Sequence, residues 1–190
     1  MQPDTPRHAP RPLALFALAL GALTGCATAP GEPVTERLDE RTGVTVTELE
    51  RPLLLVATEV RGSNTDPFAA LAPFETNVMG RRTVYLWVAY PDEKGTVSTP
   101  PSVAVDGTVL PLVEVGSEPR AVALKALPYE PLAPWSTVRL FRVDAMPLIS
   151  LGRAAGLTLT VRYSDSQAID FSGVVTPTGV LQDFVRRIQP

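Results

Sequence analysis

One thiol and one imidazole are present, Cys26 and His8, and both lie at the N-terminal end of a 190-residue chain. Beyond Cys26, the side chains suited to acid–base work reduce to carboxylates and two lysines, Lys94 and Lys125. Zinc, copper and haem sites draw on imidazole or thiolate ligands. Nucleophilic triads and Cys–His pairs need one or both of the same groups. Once the N-terminal segment is removed, no metal and no cofactor is expected. The adjacent acids Asp39-Glu40 and Asp92-Glu93 are what remains for catalysis, because a glycosidase works with two carboxyl groups ~5–10 Å apart across a cleft. Neighbouring acids in turns generally face solvent, so the chain is expected not to be an enzyme, and a carboxylate-dependent peptidoglycan hydrolase ranks last among the alternatives. No G-x-S-x-G, S-x-x-K, phosphate-binding loop, dinucleotide-binding glycine pattern or calcium loop occurs.

Two further places carry recognition chemistry. Asn77-Val78-Met79-Gly80-Arg81-Arg82 precedes a strongly apolar stretch, so a turn centred on Gly80 would project two guanidinium groups from a fixed scaffold. Arginine forks recognise carboxylates and phosphates, which makes Arg81 and Arg82 candidate contacts for a protein, an anionic lipid or a glycan; a solvated turn is the commoner fate. Trp135 follows the Pro-rich segment 128–134 and is a candidate aromatic anchor for a partner, although a loop tryptophan more often folds over the end of the core. The net charge of −3 and pI near 5.2 argue against nucleic acid, whose binding rests on neutralising phosphates.

The N-terminus explains the placement of Cys26. Arg7 and Arg11 precede an apolar run from Leu13 to Leu23. That run is shorter than the ~20 residues a membrane-spanning helix needs, but suits the apolar core of an export signal. It ends in Leu23-Thr24-Gly25-Cys26. This arrangement resembles the lipobox of bacterial lipoproteins. The resemblance covers residues 1–26 only and implies a diacylglyceryl group on the Cys26 sulfur, cleavage before Cys26 and acylation of the new N-terminus. It implies residues 1–25 as signal peptide and, since Ala27 rather than Asp follows the cysteine, sorting to the periplasmic face of the outer membrane. Two or more acyl chains anchor a protein where one is marginal. Removal of residues 1–25 would take away His8 and leave Cys26 as a thioether, so no intrachain disulfide is available to the fold.

Residues 26–41 are rich in Pro, Thr, Ala and charge, with Val34 and Leu38 as the large apolar groups, and read as a flexible tether. Residues 42–190 read as one β-rich domain. Val44 and Val46 alternate with Thr45 and Thr47, and Leu53 to Val56 form a continuous apolar run expected to be covered on both faces. Thr83 to Tyr90 places Val84, Leu86 and Val88 on one face and Tyr85, Trp87 and Ala89 on the other, the pattern of a central strand. Val103 and Val105, then Asp106-Gly107, then Val109 and Leu110 predict a hairpin with a two-residue type I′ turn. Thr137 to Val143 is another strand, and Leu157 to Tyr163 pairs with Ile169 and Phe171. A helix is expected after Asp144, stopping at Gly156, and another over 178–188 with Val180, Leu181, Phe184, Val185 and Ile188 as its apolar stripe. Asp66-Pro67 before Phe68 to Leu71 is a weaker helix start.

Short strands with few helices predict a mainly β fold, an antiparallel β-sandwich of immunoglobulin-like or transthyretin-like type with one or two short helices, one of them C-terminal. The functional expectation is a non-enzymatic module of the cell envelope, held to the membrane by its lipid anchor and acting on another envelope protein. The alternative from a different class is a periplasm-facing binding module for a small apolar or glycan ligand.

Overall fold

The computed structural model describes residues 33–58, 67–92, 97, 99–163, 168–173 and 178–189. The signal segment, Cys26, the start of the tether, the Asp66 helix start and Glu93 and Lys94 lie outside the described residues. The strands are β1 (Val34–Asp39), β2 (Val44–Leu49), β3 (Leu53–Ala57), β4 (Phe68–Val78), β5 (Arg81–Pro91), β6 (Ser102–Val105), β7 (Thr108–Val109), β8 (Val113–Gly116), β9 (Ser136–Val143), β10 (Leu157–Arg162) and β11 (Ala168–Gly173). Helix α1 spans Ala145–Gly152, α2 spans Thr178–Ile188, and a 3₁₀ turn covers Pro119–Val122. The fold is mainly β, antiparallel throughout its named pairings, with a C-terminal helix, as its residue pattern predicts.

All eleven strands belong to one curled sheet, in the order β7-β6-β10-β11-β3-β4-β5-β9-β8, with β1 and β2 branching from β4. The branch has a local cause. The long strand β4 pairs along one edge with β5, from Ala70↔Ala89 to Val78↔Arg81. Its other edge is shared: β2 covers Phe74 to Asn77 and β3 covers Phe68 to Leu71. Between them Glu50-Arg51-Pro52 interrupts the ladder, and Pro52 has no N–H to offer it. The chain changes neighbours there, so that β2 continues outward to β1 while β3 continues to β11.

Strand β5 is the centre of the core, and Leu86, Trp87, Val88, Ala89 and Tyr90 are all buried, so both of its faces are covered. Helix α2 buries Leu181, Phe184, Val185 and Ile188 against α1, β1, β2 and β4. At Gly152 of α1 the two helices leave no room for a side chain, since a Cβ there would stand 2.8 Å from Val185 Cγ2.

Three expectations change. The stretch read as a tether to Arg41 contains β1, whose Val34 is buried and whose remaining side chains are mostly exposed. Backbone pairing to β2 makes it a strand where its side-chain pattern gives little sign of one. Phe68 to Leu71 opens the long strand β4 rather than a helix, because pairing on both edges overrides a local start signal. Leu53 to Val56 is a strand but not one covered on both faces, as Leu54 is exposed. The Asp106-Gly107 hairpin forms as expected: both turn residues have positive φ, 49° and 81°, and Val105 pairs with Thr108. Asp106 also accepts the Gly156 N–H at 2.7 Å, tying this turn to the start of β10.

Candidate functional site

The β4–β5 hairpin turns through Met79 and Gly80, with φ of 50° and 88°, so two residues suffice to reverse the chain. Asn77 Oδ1 accepts the Gly80 N–H at 2.9 Å and closes the turn. Arg81 and Arg82 follow at once, but adjacent strand residues point to opposite faces. Arg82 shares its face with Asn77 and reaches the buried carboxylate of Glu75, Nε to Oε1 at 2.9 Å and Nη2 to Oε2 at 3.0 Å. This is a two-point fork. Its guanidinium is therefore engaged within the sheet, and the two arginines do not present one joint surface.

Arg81 lies on the other face, which it shares with Val78, Thr76, Thr83 and Tyr85, and there the hairpin and the 3₁₀ turn border an open-sided concavity of about 300 Å³. Thr76, Val78, Arg81, Thr83 and Tyr85 form one wall, and Arg120 to Ala123 form the other. Tyr85 is held by stacking on Phe74, ring centroids 5.4 Å apart. Pro119 presets the backbone of the 3₁₀ turn, Ala123 closes it in the left-handed region at φ 62°, and buried Val122 and Leu124 pin it to the core. Asp39 accepts the Lys125 N–H at 3.0 Å, which fixes the following residues to the β1–β2 turn. Both walls are thus set by the scaffold before any ligand arrives. None of the ion pairs among the described residues involves Arg81 or Arg120.

The same face carries a buried polar group of structural character. The Tyr129 hydroxyl accepts the Leu49 N–H at 2.9 Å and donates to the Pro73 carbonyl at 3.3 Å. Its ring lies 5.4 Å from that of Trp87. Burial, with the Glu48 carboxylate as a lesser contribution, pushes this hydroxyl far above the usual tyrosine range, so it stays protonated and able to donate. Burial also raises the Glu48 carboxyl, an effect the neighbouring Arg37 only partly offsets. Arg37 Nε donates to Glu48 Oε1 at 3.1 Å.

No known family, curated protein or solved structure matches the chain. The site must be read from its own residues. Of the acids that sequence reasoning singled out, Glu93 lies outside the described residues, and Asp39 is taken up by backbone donors, the N–H groups of Arg41, Thr42 and Lys125. The more buried acids Glu48 and Glu75 each face an arginine.

Trp135 stands at the foot of β9 with 49% of its surface exposed, and Leu132 in the same loop is 56% exposed. The loop is tied down on either side: Asp92 N–H donates to the Trp135 carbonyl at 3.1 Å and Ser136 N–H to that of Ala133 at 3.0 Å. The indole is half-exposed on a backbone fixed by these bonds. Arg120 is the residue that sequence reasoning missed. Nothing in Glu118-Pro119-Arg120 sets it apart from any charged turn, and only the packing of Val122 and Leu124 brings it opposite Arg81. Among the described residues, no helix is long and apolar enough to cross a membrane.

Proposed function

We propose that the protein is a lipid-anchored module of the bacterial cell envelope, non-enzymatic, facing the periplasm from the outer membrane, and acting by contact with another envelope protein. The observation that carries the contact is Trp135. A half-exposed indole in the same loop as an exposed leucine, on a backbone fixed by hydrogen bonds, has the chemistry of a binding hot spot, since little loop freedom is left to lose on association. Support for the anchor comes from the sequence alone, in the Leu23-Thr24-Gly25-Cys26 motif. With Cys26 acylated and β1 beginning at Val34, the connecting residues 27–33 would span at most ~25 Å, so the domain would work close to the bilayer.

Two measurements test this. Cys26→Ser should abolish incorporation of labelled palmitate and release the protein from the membrane fraction; unchanged processing and fractionation would remove the anchor. Crosslinking in intact envelopes followed by mass spectrometry should recover a specific protein that Trp135→Ala loses. The same set of crosslinked species with and without the indole would remove the contact.

A further inference from the structure

The concavity between the hairpin and the 3₁₀ turn has features that the contact at Trp135 does not use. Arg81 and Arg120 enter it from separate segments of the chain, 39 positions apart in sequence. Neither takes part in an ion pair among the described residues, whereas Arg37, Arg82, Arg139, Arg142 and Arg186 all do. The wall that carries Arg81 also carries three hydroxyl-bearing side chains: Thr76 and Thr83, which are cross-strand partners, and Tyr85, fixed by its stack on Phe74. Guanidinium groups match the oxygens of carboxylate and phosphate, and hydroxyls donate to oxygens that the guanidinium groups leave free. A space of about 300 Å³ is large enough for a small charged group.

We propose that this cleft binds a small oxyanion, a phosphate or carboxylate group, with Arg81 and Arg120 as paired cationic contacts and Thr76, Thr83 and Tyr85 as hydrogen-bond donors. The site is preorganised, because Gly80 and Met79 fix the hairpin and buried Val122 fixes the opposing wall. It stands independently of the lipid anchor and of Trp135, which belongs to a different loop.

The test is a titration of the full chain carrying Cys26→Ser, followed by NMR of backbone amides and arginine Nε–H groups. The probes are inorganic phosphate and acetate, each added at constant ionic strength against chloride. Saturable shifts centred on Thr76, Arg81, Thr83 and Arg120 with either probe are expected. Saturation by phosphate alone assigns a phosphate group as the ligand, and saturation by acetate alone a carboxylate. Arg81→Gln and Arg120→Gln should each weaken binding about tenfold or more, the loss of a charge-assisted fork. Arg81→Lys, which keeps the charge but not the fork, should fall between. The pair Arg186→Gln and Arg187→Gln, at the far end of α2, should leave affinity unchanged. Shifts that do not saturate, that chloride reproduces, or that survive Arg81→Gln and Arg120→Gln together would overturn the proposal.

Discussion

The hydroxyl of Tyr129 occupies the place where Leu49 would pair with Pro73. Continuing the β2–β4 register from Thr45↔Asn77 to Glu48↔Phe74 by one step sets Leu49 opposite Pro73. There the ladder stops, and the phenol intervenes, accepting from Leu49 N–H and donating to the Pro73 carbonyl. A residue 80 positions away thus satisfies two buried backbone groups at the point where the sheet branches. Tyr129→Phe should leave both unpaired and destabilise the fold by about 2–4 kcal/mol, at 1–3 kcal/mol per orphaned group with some relaxation. Urea unfolding measures this; a change within ~0.5 kcal/mol would mean the hydroxyl bridge carries no weight. Tyr163→Phe is the comparison, since its hydroxyl donates to the Pro91 carbonyl at a half-buried site and should matter less.

The Glu75–Arg82 fork gives a prediction that separates the two neighbouring arginines. Arg82→Gln strands a buried carboxylate and should destabilise by about 1–3 kcal/mol, while Arg81→Gln on the opposite face should stay within ~0.5 kcal/mol. Adding Glu75→Gln to Arg82→Gln should recover part of the loss. Chemical denaturation of the three variants beside the parent decides it, and equal effects at Arg81 and Arg82 would contradict the opposed faces.

Glu48 makes stability depend on pH in the direction opposite to that of most paired carboxylates. Its folded carboxyl titrates above the ordinary glutamate value, mainly through burial, so its contribution is fully present below that ordinary value and is lost as pH rises through the raised one. Glu48→Gln has no such titration. The stability of Glu48→Gln relative to the parent should therefore increase as pH is raised from about 4 to 7. A difference between the two that stays flat over this window, in urea midpoints, would show that Arg37 compensates the burial fully.

At the α1–α2 contact, glycine is needed for space rather than for backbone conformation. Gly152→Ala gains helix propensity of about 1 kcal/mol, yet its Cβ meets Val185 Cγ2 at 2.8 Å and Val185 Cβ at 3.0 Å. Overpacking should outweigh propensity and give a net loss of about 1–2 kcal/mol. Val185→Ala in the same chain should reverse that sign relative to Val185→Ala alone, because it clears the clash. Thermal unfolding of the two single variants and the double variant tests this coupling.

Much of the fold was legible because burial imposes period-two or period-3.6 patterns on residues that must face a core. Strand β5, the Asp106-Gly107 hairpin, the β10–β11 pair and α2 all have such patterns, and turn chemistry at Asp106 requires no distant partner. Strand β1 and most of β4 were not legible for the complementary reason: their hydrogen bonds go to partners whose positions no local pattern encodes, and the side chains of β1 mostly face solvent. The N-terminal motif at Cys26 can be read only as sequence, since the described structure begins at residue 33. Types and spacing alone suggested Arg81 and Arg82 as a pair. Pleating sent one to Glu75 and the other to a cleft with Arg120, because a strand turns successive side chains to opposite faces and only the docking of a remote turn determines what each one meets.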